Sequence, residues 1–93
     1  MRACIFKAHD APLEIAELPG PEAGPGEIVV RVKNCGICGS DLHASGSRNV
    51  KMPPGTVMGH ELAGVIDQLG AGVTGFALGD PVAVMSYLPC GEC

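Results

Sequence analysis

Two short segments concentrate the side chains able to hold a metal ion. Asn34 to His43 reads NCGICGSDLH, and Gly59 to Gly64 reads GHELAG. Zn²⁺ favours thiolate and imidazole, and a catalytic zinc site combines three protein ligands with one open position. One cysteine of the first segment and His60 of the second supply two such donors. Cys38 and His60 are far apart in the sequence and belong to different strand ends, which suits a site in a cleft between loops. Spacing alone leaves plainer readings open. A lone cysteine is often a small buried hydrophobe, and a lone histidine is often a hydrogen-bonded structural residue.

A third candidate is Pro89-Cys90-Gly91-Glu92-Cys93. A C-x-x-C pair is half of a structural zinc site, which needs four ligands. A redox dithiol is the alternative, but it expects the pair to open a helix in a βαβ setting, and the surrounding residues provide none. Metal is therefore the preferred reading. Gly70 to Gly75, GAGVTG, matches the dinucleotide fingerprint G-x-G-x-x-G. It is rejected, because that fingerprint must open a helix and be followed by an acidic residue about 20 positions on. Gly79-Asp80-Pro81 intervenes before a helix can form, so the segment reads as a turn between strands.

The elements that must position these residues read as short strands. Arg2 to Phe6 forms the first. Leu13 to Leu18 forms a second, with Leu13 and Ile15 on one face and Glu14 pointing away. Pro19 to Gly26 cannot be helical, because proline removes donors and fixes φ. Ile28 to Lys33 alternates Ile28, Val30 and Val32 with Val29, Arg31 and Lys33, the period of a half-buried strand. Ser40 to Ser45 predicts one helical turn with Ser40 as N-cap and Asp41 in the first turn. Gly46 to Gly55 is a polar loop. His60 to Leu69 and Pro81 to Met85 are further strands. Five or six short strands with Gly and Pro turns argue for a small barrel or sandwich.

Composition agrees. The 93 residues are enough for one small domain, and 14 Gly and 8 Pro mark a turn-rich chain whose core must be Val, Ile, Leu, Ala and Met, since Trp is absent. A net charge of −4 with no basic run excludes a nucleic-acid partner. No apolar stretch approaches the roughly 18 residues of a membrane span. The first residues, MRACIFKAHD, do not form a signal peptide. Five cysteines without a secretory signal point to the reducing cytoplasm, where grouped cysteines bind metal or do redox work.

With the motifs in place, the chain resembles the N-terminal, chaperonin-10-like (GroES-like) catalytic domain of the zinc-dependent medium-chain alcohol dehydrogenases. The family pattern G-H-E-x-x-G-x-x-x-x-x-G-x-x-V is met by Gly59-His60-Glu61, Gly64, Gly70 and Val73. C-G-S-D-x-H is met by Cys38-Gly39-Ser40-Asp41-Leu42-His43. G-D-x-V is met by Gly79-Asp80-Pro81-Val82, with Pro81 where an Arg is commoner.

The resemblance implies a mainly β fold, an incomplete GroES-like β-barrel with at most short helical turns. It implies that Cys38 and His60 are catalytic zinc ligands and that Glu61 is the adjacent carboxylate, which binds the metal or sits just behind it. Asp41 is implied as the carboxylate that orients the ligand imidazole. Ser40 and His43 are implied as the catalytic proton relay, with His43 also at the coenzyme. Cys90 and Cys93 are implied as half of a structural zinc site. Cys35 has no implied ligand role, and core packing is its expected use.

The implied chemistry is oxidation of a small-molecule alcohol or polyol, with hydride passed to NAD or NADP and full-length relatives expected as homodimers or homotetramers. Residues 1–93 are then the N-terminal part of the catalytic domain, without the coenzyme-binding Rossmann domain, and inactive by themselves. The alternative is a free-standing zinc-binding or interaction module on a chaperonin-10-like fold. A zinc-free quinone reductase relative is disfavoured by Cys38 together with His60. An isolated chain of this size is expected to be marginally stable or to need a partner.

Overall fold

The computed structural model describes all of residues 1–93. Five strands and one helix occur in the order β1 (Arg2–Ile5), β2 (Glu14–Glu17), β3 (Ile28–Gly36), α1 (Gly39–Gly46), β4 (Glu61–Leu69) and β5 (Pro81–Ala83). The strands form a two-stranded sheet, β1-β2, and a three-stranded sheet, β3-β4-β5. The fold is mainly β, as expected, and neither sheet closes into a barrel. The chain divides into two compact units, one of Met1–Pro21 with Ile37–Gly59, the other of Glu22–Gly36 with His60–Cys93.

In the first unit β1 alternates exposed Arg2 with buried Ala3 and Ile5, and Phe6 just beyond is only 1% exposed. Phe6 leaves the ladder and is held instead by the segment before Gly59. Its N–H donates to the Thr56 carbonyl at 2.9 Å, and its carbonyl accepts from Gly55 N–H at 2.8 Å. The expected inner face of β2 is corrected. The antiparallel register places Ala16 opposite Ala3 and Glu14 opposite Ile5. Side chains alternate along a strand, so Ala16 shares the face of the buried β1 residues while Ile15, opposite Cys4, turns outward and is 66% exposed.

Helix α1 is also longer than one turn and begins earlier than Ser40. Its N-cap is Cys38, in extended conformation with φ −93° and ψ 151°. None of its eight residues is buried.

In the second unit β3 and β4 form a nine-residue antiparallel ribbon running from Ile28↔Leu69 to Gly36↔Glu61. Register shifts between Val29 and Val30 and between Val32 and Asn34 interrupt the simple alternation expected of Ile28 to Lys33. This is what bulges do, and Val32 is accordingly 48% exposed. Ile66 is the buried centre at 1% exposure. Its backbone is pinned on both sides, donating to Asp80 O at 3.0 Å and accepting from Gly79 N–H at 2.8 Å.

Gly64 lets β4 lie against β3, because a Cβ there would collide with the Arg31 carbonyl. The segment Gly70 to Gly75 is the expected turn. Gly70 N–H donates to Glu27 O and Gly26 N–H to Ala71 O, both at 2.8 Å. No helix follows the turn; the next element is β5.

Candidate metal centre

The β3–β4 ribbon ends in the pair Gly36↔Glu61. Two residues beyond Gly36 the chain reaches Cys38, and His60 is the residue immediately before Glu61. Chain connectivity therefore delivers a thiol, an imidazole and a carboxylate to the same ladder end. One donor atom from each of Cys38, His60 and Glu61 lies within 4.8 Å of the others. Cys38 and His60 are half-buried and Glu61 is exposed.

The backbone explains how this corner is turned. Gly59 has φ 104°, a conformation that L side chains rarely adopt, so the residue before His60 is glycine for a local reason. Gly36 is glycine for a different one. A Cβ at that position would stand 2.6 Å from Glu61 Oε2, so the Glu61 carboxylate folds over the space a side chain would fill.

The donor set fits zinc. Sulfur, imidazole nitrogen and carboxylate oxygen are its ordinary ligands, and bond lengths of about 2.0–2.3 Å put tetrahedral donors roughly 3.5 Å apart. A spread of up to 4.8 Å is close to that separation.

Helix α1 carries the remaining residues of the first segment. Ser40 and His43 are both exposed and stand three positions apart, which places them on one helix face. The His43 carbonyl accepts from Ser47 N–H at 2.9 Å and closes the helix. Asp41 is half-buried, and its Oδ2 accepts from the Cys38 backbone N–H at 2.9 Å. The sequence reading placed the N-cap at Ser40 and so missed this contact. The available signal was an acidic residue three positions after Cys38, the spacing of a capping box.

Cys35 is not a core residue as expected. It lies exposed on β3, with its Sγ donating to Gly36 O at 3.5 Å.

Cys90 and Cys93 are brought together, apart from the three-residue group. Their sulfurs are 3.0 Å apart as free thiols, both exposed, and Glu92 N–H donates to Cys90 Sγ at 3.4 Å. The hydrogen bond with Cys93, followed by that from the Glu92 backbone, holds the Cys90 thiol below its ordinary pKa. Gly91, with φ 78°, supplies the turn between them. Elsewhere, no helix is long and apolar enough to cross a membrane.

The profile of the alcohol dehydrogenase GroES-like domain matches residues 24–93, and the chain belongs to that family. Over its whole length it is 40% identical to an alcohol dehydrogenase of Geobacillus stearothermophilus and 43% identical to an L-threonine 3-dehydrogenase of Saccharopolyspora erythraea. It also superposes over its whole length, with a TM-score of 0.88 and 40% identity, on a cobalt- and zinc-bound thermostable alcohol dehydrogenase from Pyrobaculum aerophilum. In each case the chain spans 28% of the relative's own length.

Proposed function

We propose that the chain is the N-terminal part of the catalytic domain of a zinc-dependent alcohol or polyol dehydrogenase that uses NAD or NADP. Cys38, His60 and Glu61 would hold the catalytic zinc, and Cys90 with Cys93 would supply two of the four ligands of a structural zinc. The observation that carries the reading is the convergence of thiol, imidazole and carboxylate within 4.8 Å at the end of the β3–β4 ladder. Membership in the family and the likeness to a zinc-bound relative support it.

When bound, zinc supplies a Lewis acid that lowers the pKa of an alcohol hydroxyl toward neutrality. The chain's own residues handle the proton. The Ser40 hydroxyl both accepts and donates, so it takes the alcohol proton as it passes its own onward. His43, exposed on the same helix face, receives it, because an imidazole nitrogen can accept a proton and its partner nitrogen can donate one to water. A bound nicotinamide would supply the hydride acceptor, and the protein's part would be to position it. The coenzyme-binding domain lies outside residues 1–93 in this reading, and these residues alone are inactive.

The test is NAD(P)-dependent oxidation by the intact protein against a panel of a primary alcohol, a vicinal diol and threonine. Activity that disappears on chelation and returns with zinc is expected. Oxidation that survives complete removal of metal would sink the reading.

A further inference from the structure

We infer that Asp41 is a positioning residue for the metal-binding thiol, acting through the Cys38 backbone. The inference rests on the proposed metal centre and adds to it a role distinct from orienting an imidazole. Several bonds join the same pair of residues, including one in which the Cys38 side chain accepts from the Asp41 backbone. Cys38 N–H donates to Asp41 Oδ2 at 2.9 Å, and Asp41 N–H donates to Cys38 O at 3.0 Å. Together they close a ring around the N-cap, with Asp41 as the N3 carboxylate of a capping box. Once φ and ψ of Cys38 are held, Sγ retains a single rotatable bond.

The rest of α1 is weakly built. Cys38 is followed directly by Gly39, and a Cβ on Gly39 would meet nothing within 4 Å. The helix reads GSDLHASG, with Gly at both ends and two Ser, all weak helix formers. None of its residues is buried, and short helices in proteins form mainly because a face is packed. A helix with neither propensity nor burial depends on its cap. The half-buried, charge-assisted bond from Asp41 is therefore what fixes the first turn and aims Sγ at the cluster.

The experiment uses the intact protein with Co²⁺ in place of zinc, comparing Asp41→Ala and Asp41→Asn with the wild type. Asparagine keeps a carbonyl oxygen that accepts the Cys38 N–H; alanine keeps nothing. With the structural site kept in zinc and Co²⁺ only at the Cys38 site, three quantities are read: Co²⁺ affinity, the thiolate-to-cobalt charge-transfer band, and hydrogen exchange of the Cys38 amide in the metal-free protein.

Asp41→Ala is expected to weaken affinity by about 10- to 100-fold, the range for removal of an outer partner of a metal ligand. It should also reduce the thiolate band and speed exchange at Cys38. Asp41→Asn should restore all three to within about threefold of wild type, as a retained acceptor predicts.

The inference is overturned if Asp41→Ala lowers affinity while the thiolate band and the Cys38 exchange rate stay at wild-type values, because the carboxylate then acts elsewhere. It is equally overturned if Asp41→Asn behaves like Asp41→Ala. Absence of any thiolate band in the wild type would instead overturn the metal centre itself, and with it the role assigned here. Should Asp41→Ala fail to fold, Asp41→Asn with normal Cys38 exchange and a normal band supports the clamp, and fast exchange with a weakened band overturns it.

Discussion

Two places in this chain carry cysteines proposed as metal ligands, and they are built in opposite ways. Cys38, His60 and Glu61 stand at the end of a nine-residue antiparallel ribbon, with two of the three half-buried. Cys90 and Cys93 lie on a segment with no strand or helix, both exposed, joined to each other and to one backbone amide. In the first group Glu61 stands on the β3–β4 ladder and the Cys38 backbone is held by Asp41. The second owes its geometry to a single turn at Gly91. Metal at the first would meet donor atoms that lie within 4.8 Å of one another. At the second, metal binding must also supply the ordering, the situation in which binding and folding free energies merge.

The sharpest way to break that contrast is to remove a ligand from the built site. Cys38→Ala or His60→Ala should abolish stoichiometric zinc binding at the cluster, with affinity falling by more than the roughly 100-fold typical of an outer-partner loss. Calorimetric titration checks it, and near-normal affinity in either variant would remove the residue from the site.

The next effect is on the ladder. Gly64→Ala forces a methyl group into the Arg31 carbonyl. It should destabilise the protein by about 3 kcal/mol, the upper end of overpacking costs, as a lower urea midpoint at unchanged slope. Its zinc affinity should fall with it if the ladder positions the ligands. A smaller effect is expected of Gly36→Ala, which displaces only the Glu61 carboxylate, the far end of a flexible side chain. Metal affinity should drop by up to about tenfold, the low end of the outer-partner range, while thermal stability barely changes.

The smallest effect separates the two regions by reactivity. The Cys93 hydrogen bond is the leading cause of the lowered Cys90 pKa, and a lower pKa means more thiolate at a pH below the ordinary thiol value. In metal-free protein at pH 7.5, Cys93→Ala should therefore slow alkylation of Cys90, on the order of threefold. Urea stability should stay within about 0.5 kcal/mol, as for other exposed substitutions. Equal alkylation rates would show that the thiol pair has no influence on its own chemistry.

Much of this was legible in the residues. Strand positions followed from alternation and from Gly and Pro punctuation. The ends moved by one to three residues, as at Phe6 and at Met85, where hydrogen bonds rather than side-chain pattern decide. The motifs around Cys38 and His60 were readable as donors. Three expectations failed for one reason, that each depends on what lies across from a residue. Ile15 faces outward because the register pairs Ala16 with Ala3. Cys35 is exposed because both faces of β3 are uncovered from Arg31 to Gly36. Ser40 is not the N-cap, because Asp41 reaches back to the Cys38 amide.

The sequence by itself determined the donor types, the turn residues and the strand-forming runs, since these follow from side-chain chemistry and local φ/ψ limits. Only the tertiary structure decided that a thiol, an imidazole and a carboxylate from distant positions meet within 4.8 Å. That outcome depends on the register of β3 against β4, with Gly36 opposite Glu61. A slip of one residue would turn every β4 side chain, Glu61 included, to the other face.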